Sequence, residues 1–194
     1  MTVKPEFINP FVTAAAEVLR AEAGAEVSRG GLTLHDSGKT TRDVTTLISL
    51  VGDVEGVVLY CMDEPMCLGL ISQMMGEECT EFDEMAQSGV GELGNVMSGR
   101  AAMKLSELGL EAQISPPTLI VGRGASVSTL SFQRLVVPLE TQFGTMETHL
   151  ALRHKWRHAH QPAVRQGGRQ FLAAGLLACD YVALALAVSP VGPG

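Results

Sequence analysis

Apolar residues recur at helical spacing in three stretches of the chain. In the first, Phe11, Ala14, Ala15, Val18 and Leu19 form one stripe. Asn9 is placed to cap this helix, Pro10 suits its first turn, and Gly24 sits where a left-handed C-terminal residue belongs. In the second, Met66, Leu70 and Met74 repeat between a capping Asp63, with Pro65 in the first turn, and a terminating Gly76. The third runs over 81–108, opened by Thr80 and Asp83 at capping-box spacing and closed by Gly109. At 1.5 Å per residue it is about 40 Å long.

Elsewhere the period shortens to two. Strands are predicted over 26–29, 32–35, 44–51, 56–62, 118–121, 126–132, 135–140 and 145–152, with 52–55 as a hairpin connection of turn-forming composition. A helix followed by strands thus occurs twice. The pattern predicts an α+β fold, with helices packed on an antiparallel sheet and two loosely repeated α-β halves.

The third helix carries an unusual face. With Glu92 set at 0° and about 100° per residue, Asn95 falls near 300°, Ser88 near 320° and Gly99 near 340°. The apolar residues Ala86, Val90, Leu93, Met97, Ala101, Leu105 and Leu108 gather on the other side. Glu92 and Asn95 therefore point away from any sheet the helix packs on, within reach of one target. Spacing alone equally describes a plain solvated face. Asparagine is a poor mid-helix residue, however, and its neighbours are serine and glycine rather than long polar side chains. Gly89, Gly91, Gly94 and Gly99 each cost a helix interior roughly 1 kcal/mol relative to alanine. Together they suggest clearance for a docking protein, with Ser88, Gly91 and Gly99 as its contact positions.

Composition narrows the classes. The chain has 194 residues, 46% hydrophobic and 18% charged, and a formal charge of −7. That balance excludes a general nucleic-acid binder. Four cysteines without CxxC pairing and the lack of a secretory signal pattern read as buried thiols in a reducing cytoplasm. No metal-ligand or Ser-His-Asp constellation is evident. His35 and His149 read as surface strand residues, and most methionines, at helical spacing, as core filling. Arg100 and Lys104 lie one turn apart and suit either steering of an acidic partner or an ordinary charged flank.

Charge also marks a boundary. Residues 1–152 carry the acidic excess, whereas 153–194 contain five Lys and Arg against a single acid, Asp180. Within this second part lies an apolar run over 171–188. A membrane anchor there is disfavoured, because Asp180 at mid-run costs roughly 2.5–3.5 kcal/mol on insertion. The expectation is a domain over 1–152 followed by an extension outside it, such as a frame-shifted reading.

Taken in order, Ile8-Asn-Pro-Phe11, Leu50-Val-Gly-Asp-Val-Glu-Gly56, Met75-Gly-Glu-Glu78, Gly91-Glu-Leu-Gly-Asn95, Leu105-Ser-Glu-Leu-Gly-Leu110, Pro117-Thr118 and Val137-Pro-Leu-Glu-Thr141 resemble the CheX branch of the CheC/CheX/FliY chemotaxis phosphatases. The resemblance covers about residues 5–152, and the Glu-x-x-Asn helix is that family's active-site signature. It implies a CheC-like fold and removal of the aspartyl phosphate from a CheY-like response regulator. Carried over, Asn95 orients a water for in-line attack and Glu92 pairs with the regulator's lysine. The chain itself binds no cofactor; Mg²⁺ is expected on the regulator. Two-site members repeat the motif on the first helix, but here no asparagine lies three after Glu17. One site per protomer and a cytoplasmic homodimer are expected. The alternative is a non-catalytic module docking on a response regulator or flagellar switch component.

Overall fold

Two long antiparallel hairpins form the centre of the structure, a computed structural model that describes residues 5–35, 42–122, 127 and 134–154. The first pairs β3 (Val44–Gly52) with β4 (Val54–Met62), and the second pairs β7 (Arg134–Thr141) with β8 (Gly144–His154). They join through β4 and β8, where Val58 lies opposite Leu150 and Tyr60 opposite Thr148. Four short strands complete an eight-stranded sheet. Those of the first half, β1 (Ser28–Arg29) and β2 (Thr33–His35), pair with β7 of the second; those of the second, β5 (Ala112–Ile114) and β6 (Thr118–Val121), pair with β3 of the first. The two repeated halves are thus present, with their short strands exchanged.

Alternation decides which face of the sheet meets the helices. Val44, Ile48 and Leu50 on β3, Val58, Tyr60 and Met62 on β4, and Leu135, Val137, Leu139, Leu150 and Leu152 on the second hairpin share one buried face. Helices α1 (Pro5–Ala23), α2 (Glu64–Met75) and α3 (Glu84–Glu107) cover it, α3 packing along α1. The opposite face holds a second, smaller cluster of Leu47, Leu59, Cys61 and Val127. Among the described residues no helix is long and apolar enough to cross a membrane.

Several boundaries differ from the sequence expectation. The first helix begins at Pro5, so Asn9 and Pro10 lie inside it. Pro10 has no N–H for the carbonyl of Glu6, but burial of Phe7 and Ile8 holds that preceding turn in place. Thr80 does not cap α3; Asp83 does, accepting from the Ala86 N–H at 2.9 Å. Asp63 precedes α2 without a side-chain cap, because its carboxylate takes Arg42 Nη1 at 2.6 Å. The hairpin connection tightens to Asp53 alone. Gly52, at φ 150°, permits it: a Cβ there would stand 2.3 Å from the Glu111 carbonyl oxygen. Strand β5 was not expected, and Leu108 is 58% exposed, since it lies past the last turn that packs on the sheet. The strand predicted over 126–132 lies, Val127 apart, outside the described residues, as does the extension beyond His154.

Candidate active site

Helix α3 is held by its buried stripe. Ala86, Val90, Leu93, Met97, Ala101 and Leu105 are all essentially inaccessible, as the helical repeat requires. The four glycines fall into two pairs. A Cβ on Gly94 would stand 2.6 Å from Thr46 Cγ2, and one on Gly89 would stand 2.8 Å from Ile71 Cδ1. These two let the helix close on β3 and α2. A Cβ on Gly91 or Gly99 would meet nothing nearer than 3.9 Å, at Pro117 and Ile114. Beside the Gly94 contact, the Tyr60 and Ser98 hydroxyls are 3.2 Å apart in a buried hydrogen bond between β4 and α3. The contact and the bond together fix the rotation of α3 about its axis.

That rotation turns Glu92 and Asn95 outward. Glu92 is exposed and Asn95 half-buried, and Asn95 Nδ2 donates to Glu92 Oε2 at 3.4 Å. The bond is longer than an ordinary N–H···O contact, so it is easily exchanged for a better partner. Ser88 is exposed and Gly99 half-buried on the same side, whereas Gly91 is buried at the edge of the face.

The methionines of this face depart from the sequence expectation. Met85 and Met103 are not core filling: they are 55% and 68% exposed. The helical wheel places both within about 20° of Glu92, a signal readable from their separations of seven and eleven residues. Of the two readings of Arg100 and Lys104, the contacts fit a charged flank: Lys104 Nζ lies 2.9 Å from Glu17 Oε1 on α1, with Arg100 at 3.8 Å from the other oxygen. Glu17 is thus engaged within the fold.

The other polar cluster is on the far face of the sheet. His149 is buried, not at the surface, with Nε2 3.1 Å from Glu147 Oε2. Arg42 contacts the other Glu147 oxygen through Nε at 3.0 Å and Nη2 at 2.9 Å. The His149 hydrogen bond, then Arg42, hold the Glu147 carboxyl down at about 2 against the opposing effect of burial. Burial pushes the Cys61 and Cys67 thiols up to about 12, which leaves both neutral and poor nucleophiles near neutral pH.

The fold is an α+β arrangement of three helices on an antiparallel sheet, with a carboxylate and an amide one turn apart on α3, and comparison places it among CheC-like proteins. The profile of the family described as chemotaxis phosphatase CheX matches residues 44–140, a stretch that contains Glu92 and Asn95. The CheY-P phosphatase CheX of Thermotoga maritima is 32% identical over 123 residues, covering 63% of this chain and 79% of that protein. The chain belongs to the CheX family of chemotaxis phosphatases. A CheC-like superfamily protein from Shewanella sp. PV-4 superposes with a TM-score of 0.72 at 27% identity, over 78% of this chain and 99% of that one. CheX of Borrelia burgdorferi, solved in complex with CheY, BeF₃ and Mg²⁺, gives 0.63 at 27% identity, over 76% and 98%.

Proposed function

We propose that this chain hydrolyses the aspartyl phosphate of a CheY-type response regulator, with Glu92 and Asn95 as its working residues. The observation that carries the reading is the outward pairing of these two side chains on a rigid helix in a member of the CheX family. Phosphoryl transfer to water asks mainly for positioning and charge stabilisation. An amide offers one donor and one acceptor from a single planar group, which suits Asn95 to orient a water in line with the phosphorus. A bare carboxylate near a phosphoryl group is repelled unless a cation lies between them. Glu92 therefore fits a contact with a lysine of the regulator, drawing that cation away from the phosphoryl oxygens. The Mg²⁺ belongs to the regulator in this reading.

The working unit is a domain that runs to His154, two residues past the boundary expected from charge because β8 still pairs with β4 there, assembled as a cytoplasmic homodimer with the remaining residues outside it. The test is phosphate release from receiver domains of the same genome, phosphorylated with acetyl phosphate. Acceleration by this chain, lost in Asn95→Ala, supports the reading. A docking module without catalysis would bind the receiver and leave its phosphate lifetime unchanged.

A further inference from the structure

The exposed methionines of α3 have no role in the chemistry assigned to Glu92 and Asn95. They are nonetheless aligned with it. From Met85 to Glu92 is about 10 Å along the helix, and from Glu92 to Met103 about 16 Å, with all three side chains on one line. Between them the face is short or polar: Ser88, Asn95 and Gly99. Two long apolar side chains left in water on either side of a polar centre forgo the stabilisation that burial would give them.

We propose that Met85 and Met103 are paired apolar anchors for the receiver domain, seated on its surface on either side of the phosphorylated aspartate. The inference rests on the phosphatase reading above. The occupant is set by continuity: any protein that brings a phosphoaspartate to Asn95 must lie over both methionines. Their separation of about 27 Å matches the width of an ordinary interface, roughly 800 Å² on each partner. Methionine suits such a position because its unbranched side chain adapts to the partner's shape, and burying it on docking adds affinity without placing charge beside the phosphoryl group. The anchors determine which receiver binds and how long it stays, whereas Glu92 and Asn95 act on the bound phosphate. Measured from Asn95, a matching receiver carries apolar surface at about 15 Å and 12 Å from its phosphoaspartate, on opposite sides of it.

The test compares Met85→Gln, Met103→Gln and the double variant with wild type, Met85→Leu/Met103→Leu and Leu108→Gln. Leu108 is comparably exposed but sits just past the C-terminal end of α3, away from the Glu92 face. Affinity for the beryllofluoride-activated receiver is measured separately from steady-state phosphate release. Each glutamine variant is expected to weaken affinity about five- to tenfold and the double variant more, most of the loss appearing in KM. The leucine variant keeps wild-type affinity, and Leu108→Gln changes nothing. Unaltered affinity in the double variant, with Asn95→Ala still inactive, overturns the anchor assignment and leaves the phosphatase reading standing. A wild-type chain that neither binds nor dephosphorylates any receiver of its genome overturns both.

Discussion

Asn95 Nδ2 rests 3.4 Å from Glu92 Oε2, so these two outward side chains of α3 are weakly tied to each other. Such a contact holds both side chains near one orientation and yields readily when a stronger partner arrives. In the function proposed above, a lysine ammonium offered to Glu92 would displace the amide of Asn95 and leave it free for water.

Asn95→Ala removes the amide proposed to orient the water without touching the buried stripe of α3. Phosphate release from a phosphorylated receiver should fall at least about a hundredfold, while the thermal midpoint stays within a degree or two and affinity is retained. Single-turnover release against a matched binding measurement checks this. Unchanged release would sink the assignment.

Glu92→Gln keeps the size of the side chain and an acceptor but loses the charge. Both affinity and turnover should drop, by about tenfold or less in affinity, because a charge-assisted hydrogen bond becomes a neutral one. Raising the salt concentration should narrow the gap between variant and wild type, since screening acts on the wild-type pair alone.

The glycines separate packing from clearance. Gly94→Ala places a methyl 2.6 Å from Thr46 Cγ2, on a β-branched side chain fixed in the sheet, so overpacking outweighs the gain in helix propensity. A net loss on the order of 1–2 kcal/mol in urea unfolding is expected. Gly99→Ala meets only Ile114 at 3.9 Å and should stabilise by up to about 1 kcal/mol. Gly89→Ala falls between them, because the atom in its way is the movable end of Ile71.

Glu147 makes stability depend on acid. Its folded value, about 2, lies below the ordinary 4.5, so the native state favours the carboxylate. The stabilisation is fully present above about pH 4.5 and is lost as pH falls toward 2. In Glu147→Gln the curve of unfolding free energy against pH should be flatter across that window. A variant curve parallel to wild type would contradict the assignment.

Much of this was legible before any coordinates. The outward setting of Glu92 and Asn95 follows from helical periodicity, and the hairpins from alternation plus Gly52. The start of α1 was not, because burial of Phe7 and Ile8 overrides the usual placing of Pro10. Leu108 obeys the apolar repeat yet is exposed, since the repeat carries no record of where the sheet beneath it stops. Three residues, Ala112 to Ile114, are too few for a strand signal. Helical spacing alone does not separate Met85 and Met103 from the core methionines; their wheel angle, within about 20° of Glu92, does. The roles of Asn95 and Glu92 in hydrolysis came from resemblance, which spacing cannot replace.

The exchange of short strands has a consequence for how the molecule holds together. Cut between α2 and α3, the chain yields two fragments, each with one hairpin whose outer edge is completed only by strands of the other. Neither fragment can close its own sheet, and α3 loses the α1 surface it packs along. The fragments are complementary pieces that gain order by meeting. The face bearing Glu92 and Asn95 thus draws on both sides of that cut, since α3 packs on α1, α2 and β3 from before it and on β5 and β6 from after it.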